Sequence, residues 1–152
     1  MTPEERLAAR GLELPIPPTP VANYVPAVRC GTLIFLSGHG PNQKGARQWR
    51  GKVGLEYDME EAQIAAQACV LNLLASLKSQ IGELSRVQRV VKLLGMVNCT
   101  PDFDAQPQVI NGASDLLVDV FGDRGRHARS AVGMAALPGN IPVEIEMIVE
   151  VE

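Results

Sequence analysis

The segment Met59–Ile81 constrains the fold more than any other part of the chain. Ala62, Ala65, Ala66, Cys69, Leu73, Leu77 and Ile81 recur at three- and four-residue spacing. That spacing places them along one face of a helix of about six turns. Asp58 stands where an N-cap belongs, and Gly82 stands where a helix stops. A second helical pattern over residues 105–121 ends at Gly122.

The remaining periodic segments read as strands. Residues 24–29 and 32–36 form two β-like runs around a turn at Cys30-Gly31, and the Val- and Leu-rich run 87–97 reads as a central strand. Residues 130–137 and 143–151 follow, joined through Pro138-Gly139-Asn140. In the last run Val143, Ile145, Met147, Val149 and Val151 take one face, while Glu144, Glu146, Glu150 and Glu152 take the other. The order ββαβαββ predicts an α+β domain whose two helices cover only one face of a mixed sheet. Ala131, Gly133 and Ala135 are small and apolar along one side of the penultimate strand, which implies that the second face is covered too. Another subunit is the economical cover. Ahead of this unit, Thr2, Pro3 and Glu5 form a capped helix start, and residues 14–20 are a proline-rich extended arm. Residues 1–20 are therefore read as a helix and arm, residues 21–152 as a single domain, and residues 38–52 as a long polar loop, a lid or an insertion.

Composition excludes several functions. The formal charge is −3 and aromatics make up 4% of 152 residues, which argues against a nucleic-acid partner held by phosphate neutralisation. Cys30, Cys69 and Cys99 have no metal-binding spacing, and with two histidines they make a poor ligand set, so no metal is expected. They read as reduced thiols of a cytoplasmic protein. The charged amino terminus is not expected to act as a signal peptide, and no run is expected to span a membrane.

No catalytic motif stands out from the residues alone. Gly38-His39-Gly40 lacks the spacing of a phosphate loop. His39, after a strand, reads as a polar loop residue rather than a base, and His127, in the basic turn Arg124-Gly125-Arg126-His127, as solvated. Arg129 opens an otherwise apolar strand and Glu144 begins its neighbour. The pair reads as a structural ion pair, as solvated edge charges, or as an arginine fork for a carboxylate beside a carboxylate that can orient water. If the last two strands form a hairpin turning at Gly139-Asn140, Arg129 pairs near Glu150 and Glu144 near Ala135. The two then lie about six residues apart, roughly 20 Å, and one pocket needs both only if two subunits meet there.

The run Ala128-Arg129-Ser130-Ala131-Val132-Gly133-Met134-Ala135-Ala136-Leu137-Pro138, followed by Val143-Glu144-Ile145-Glu146, closely resembles the signature of the RidA/YjgF family. Tyr24-Val25, Leu33-Ile34-Phe35-Leu36-Ser37-Gly38, Val97-Asn98 and Asp102-Phe103 extend the resemblance over most of the chain from about residue 21. It implies a homotrimer of chorismate-mutase-like subunits with clefts between them. It also implies hydrolysis of reactive enamines and imines of amino acids to keto acids and ammonia, without metal or cofactor. Carried over by position, Arg129 grips the carboxylate of a small substrate and Glu144 holds the attacking water. Tyr24, Ser37, Gly38 and Ala131 line the pocket. Ala131 stands where the family often has cysteine, Arg126-His127 replace an aromatic-proline pair, and residues 1–20 look like an addition. Two other readings are an endoribonuclease, as the family is sometimes labelled, and a non-catalytic trimer that binds small carboxylates.

Overall fold

The computed structural model describes residues 1–17, 19 and 22–152. The expected arm over residues 14–20 and the boundary after residue 20 fall partly on Pro18, Pro20 and Val21, which lie outside the described residues. The elements run α1 (Pro3–Ala9), β1 (Ala27–Cys30), β2 (Leu33–His39), α2 (Met59–Ile81), β3 (Val87–Asn98), α3 (Gln106–Phe121), β4 (Ala128–Met134) and β5 (Val143–Val151).

Local chemistry sets the helix bounds. Thr2 and Glu5 close a capping box on α1, and Asp58 and Glu61 close another on α2. Gly82 and Gly122 end α2 and α3. The predicted face of α2 is buried, but so are Val70, Leu71, Asn72, Leu74 and Ser76. The 40–58 segment covers that second side: Trp49 and Tyr57 are buried, and Asn72 donates to the carbonyls of Gly40 and Asn42. By length and composition alone α2 could cross a membrane, contrary to the sequence expectation, yet 67% of its most apolar window is packed inside the protein. That is the pattern of a core helix. Where α3 crosses α2, a side chain at Gly112 would strike the backbone of Gln63, so glycine permits the close approach. Leu7 of α1 is 2% exposed and belongs to the same core.

The five strands are ordered β1-β2-β5-β3-β4. The expected hairpin between the last two strands does not form. β4 lies at the edge, parallel to β3, and β5 enters between β2 and β3, antiparallel to both. The end of β3 redirects the chain. Asn98 donates its side-chain amide to the Asn140 side chain and the Ile141 carbonyl, and its backbone N–H to Pro142. The connection is thereby carried across β3 instead of folding back on β4. In the middle of the sheet β5 gains a ladder on each edge, and Val143, Ile145, Met147, Val149 and Val151 all reach the helix layer, while Ile148 turns to the other face.

The register assigns every side chain to a face. Leu36, Met147, Leu93 and Arg129 form one row beneath the helices, whereas Phe35, Ile148, Lys92 and Ala128 form a row on the opposite face. Ala131 lies level with Gly95 and Ile145, and Gly133 with Val97 and Val143, so both turn toward α3. They do not face the uncovered side, as the sequence reading held. That side instead exposes Val28 (54%), Phe35 (43%) and Val132 (38%).

Candidate functional site

A cleft of about 540 Å³ opens at the end of β2. Tyr24, Ser37 and Gly38 line it together, with His39, Asn72 and Gly139 among the other walls. Ser37 does the local positioning. Its N–H donates to Pro26 at 2.9 Å and its hydroxyl to Val25 at 2.8 Å, which fastens the 24–26 segment, and with it Tyr24, to β2. The β2–β5 pairing shifts between Leu36 and His39, so Gly38 lies in a local irregularity of the ladder.

Glu144 packs against Gly38, a residue of the cleft wall, without itself lining the cavity. A β-carbon placed on Gly38 would overlap the Glu144 carboxylate and stand 3.0 Å from its Cδ, so the acid rests directly on the glycine backbone. Burial raises the Glu144 pKa above the ordinary carboxylate value, and Glu146 on the same face adds to the rise. It is a carboxylate with increased proton affinity, packed on the backbone of a glycine in the cleft wall.

His39 is not the polar loop residue expected. It ends β2, is 5% exposed, and forms part of the cleft wall. Its Nδ1 lies 2.6 Å from the Ser37 carbonyl, which can only accept, so Nδ1 carries the proton. Nε2, 2.7 Å from the Ser76 hydroxyl, therefore accepts from it. Burial pushes the His39 pKa down, consistent with a neutral ring.

Arg129 stands elsewhere. Its row lies beneath the helices, and its guanidinium donates to the Ser114 hydroxyl at 3.1 Å and the Pro107 carbonyl at 3.3 Å, both on α3. Among the described residues it has no carboxylate partner. Glu144 is level with Met96, three residues along β3 from Leu93, the partner of Arg129. The expected six-residue separation is corrected to three. One chain nevertheless holds the two side chains on opposite faces of the sheet. Ala131 follows Arg129 on the helix side, half-buried against the core. The arrangement thus divides the sequence-predicted residues into two groups: Tyr24, Ser37, Gly38 and Glu144 at one end of β2, Arg129 and Ala131 on the far edge strand.

Sequence reasoning missed His39, Ser76, Asn72 and Ser114. A signal existed for two of them. Asn72 and Ser76 sit inside the apolar run of α2, and a polar group there must find a partner. His127, expected in solvent, is half-buried: Nδ1 is 2.6 Å from the Gly125 carbonyl and Nε2 is 2.9 Å from the Ser114 hydroxyl. Among the described residues no group of three or more His, Cys, Asp or Glu could hold a metal ion.

Residues 4–151 match the family model described as "YjgF/chorismate mutase-like, putative endoribonuclease". The chain belongs to the YjgF/RidA family. Its α+β chorismate-mutase-like fold is that of this family. Protein TCP17 of Trypanosoma cruzi is 43% identical over 141 residues, which are 92% of this chain and 88% of that protein. A Dermatophagoides farinae protein named 2-iminobutanoate/2-iminopropanoate deaminase is 31% identical, over 94% of this chain and 97% of its own. The crystal structure of a protein of unknown function from Agrobacterium tumefaciens is 46% identical with a TM-score of 0.92, covering 99% of this chain and 92% of that one.

Proposed function

We propose that this YjgF/RidA protein hydrolyses reactive enamines and imines derived from amino acids to keto acids and ammonia, at sites between the subunits of a homotrimer. The observation that carries the reading is the Glu144 carboxylate. It is half-buried, raised in proton affinity, and laid on Gly38, which itself lines the cleft. The name of the D. farinae relative supports the same chemistry.

In this reading the carboxylate of a small substrate is held by Arg129, whose guanidinium keeps three N–H groups beyond the two bound to Ser114 and Pro107. Glu144 accepts a proton from water as the water oxygen bonds to the imine carbon. Glu144 then returns that proton to the amine of the carbinolamine, the C–N bond breaks, and the hydroxyl proton leaves with the ammonia as the ketone forms. An iminium carbon is already electrophilic, so placing it beside an oriented water is most of what the step needs. Because Arg129 and Glu144 occupy opposite faces of one sheet, the reading requires a second subunit. The exposed Val28, Phe35 and Val132 give the sheet an apolar surface for that contact. The reaction is assigned to the cytoplasm, where the unpaired thiols stay reduced.

The test is formation of 2-oxobutanoate from 2-iminobutanoate generated in situ. The purified protein should accelerate it over buffer, and Arg129→Lys, which keeps charge but loses the fork, should abolish the acceleration in a folded oligomer. Mixed oligomers of Arg129→Ala and Glu144→Ala subunits should recover part of the activity. No acceleration by the folded wild-type protein, or full activity in Arg129→Lys, overturns the reading.

A further inference from the structure

Ser114, on α3, stands between two groups whose hydrogen-bonding roles are fixed. Arg129 Nη1, 3.1 Å away, can only donate to it. The Gly125 carbonyl, 2.6 Å from His127 Nδ1, can only accept, so Nδ1 carries the imidazole proton in the neutral ring. Nε2 is then an acceptor, 2.9 Å from Ser114, and the one proton of the Ser114 hydroxyl points to it. That leaves the hydroxyl lone pairs for Arg129. The chain Gly125–His127–Ser114–Arg129 is thus polarised in one direction, and each link determines the next.

We infer that Ser114 and His127 are positioning residues that aim the Arg129 guanidinium for a carboxylate. The inference rests on the proposed reading of Arg129 as the carboxylate-binding group. Ser114 and the Pro107 carbonyl hold Nη1 and Nη2 at two points on α3, which fixes the plane of the guanidinium. A bidentate carboxylate demands that plane, and an arginine on an edge strand would otherwise explore many rotamers. Burial and the nearby Arg129 charge both push the His127 pKa down, which keeps Nε2 available as an acceptor. The same construction recurs at the other group of residues. His39 also donates to the carbonyl two residues before it and accepts from a helix serine, Ser76. A histidine strut therefore stands behind each half of the proposed site.

The experiment measures binding of 2-oxobutanoate and of its uncharged amide to the full protein. Ser114→Ala should weaken carboxylate binding about tenfold and leave the amide unchanged, whereas Ser114→Thr, which restores a hydroxyl, should recover the wild-type affinity. His127→Ala should behave like Ser114→Ala, and His127→Gln, which restores an acceptor, should recover most of the loss. Nitrogen NMR of His127 in the free protein should show a protonated Nδ1 and a bare Nε2. Unchanged carboxylate affinity in Ser114→Ala, while Arg129→Ala binds weakly, overturns the positioning role and leaves the reading of Arg129 standing. Unchanged affinity in Arg129→Ala overturns both. A protonated Nε2 with a bare Nδ1 breaks the chain at its first link.

Discussion

Replacing Gly38 with alanine asks whether the Glu144 carboxylate must stay where it is. The glycine needs no left-handed backbone, since its φ is not among the positive values of the chain, so alanine fits the main chain. The obstacle is the acid alone. The new Cβ would overlap the carboxylate oxygen and stand 3.0 Å from Cδ and 3.3 Å from Cγ of Glu144. Carbon atoms rest at about 3.5–4.0 Å, so Cδ must retreat by about 0.5–1 Å and the oxygen beyond it by more. The far end of a flexible, half-buried side chain can make that move cheaply. The expected stability loss is about 1 kcal/mol or less, a fall in Tm of about 2–4 °C for a chain of this size. A displacement near 1 Å at a reacting group costs about a hundredfold in rate. Gly38→Ala should therefore melt almost like the wild type in calorimetry while losing about a hundredfold in kcat/KM on 2-iminobutanoate. Full activity would show that the position of Glu144 is immaterial. A variant that fails to fold would show that the carboxylate is locked in place, and the mobility assumed here would be wrong.

Two further outcomes are expected. A Cys30→Ser, Cys69→Ala, Cys99→Ala variant should keep its rate in the same assay: all three thiols are unpaired, Cys69 is fully buried, and burial pushes its thiol pKa up, away from the reactive thiolate. Any cost should appear in Tm, because the emptied volume at Cys69 loses packing. The second outcome concerns pH. The folded protein holds His39 below its ordinary pKa of 6.5, so the unfolded chain binds a proton there that the native chain refuses. Stability is thus fully present above about pH 6.5 and falls as pH drops toward the lower folded value. Melting followed from pH 7.5 to 5.5 should show this fall, with a shallower slope in His39→Gln; an equal slope would remove His39 as its source.

Much of this fold was legible because its signals are local. The caps of α2, the stops at Gly82 and Gly122, and the alternation of β5 each depend on a few neighbouring residues, and all stand as read. The pairing of β4 was not legible. Both final strands have one apolar side, and a short connection between such strands is ordinarily a hairpin. What redirects the chain is Asn98, some forty residues earlier in sequence, and no local pattern announces a side-chain amide that will capture Ile141. The candidate site divides in the same way. Tyr24, Ser37 and Gly38 are near in sequence and meet in space, so motif reading found them. Ser114 and His127 matter only through a hydrogen-bond chain between a helix and an edge strand, and their isolated residue types carry no such message.

The central place of β5 has a consequence for how the chain can be made. During synthesis, β1 and β2 can pair as a hairpin and β3 and β4 can lie side by side, but the two halves share no ladder until Val143–Val151 emerges to join them. The last strand is the keystone of the sheet. Until it arrives, β2 and β3 each offer an open edge, a surface on which nascent chains stick to one another. The chain is therefore most exposed to misassembly in the interval between the emergence of β4 and that of β5.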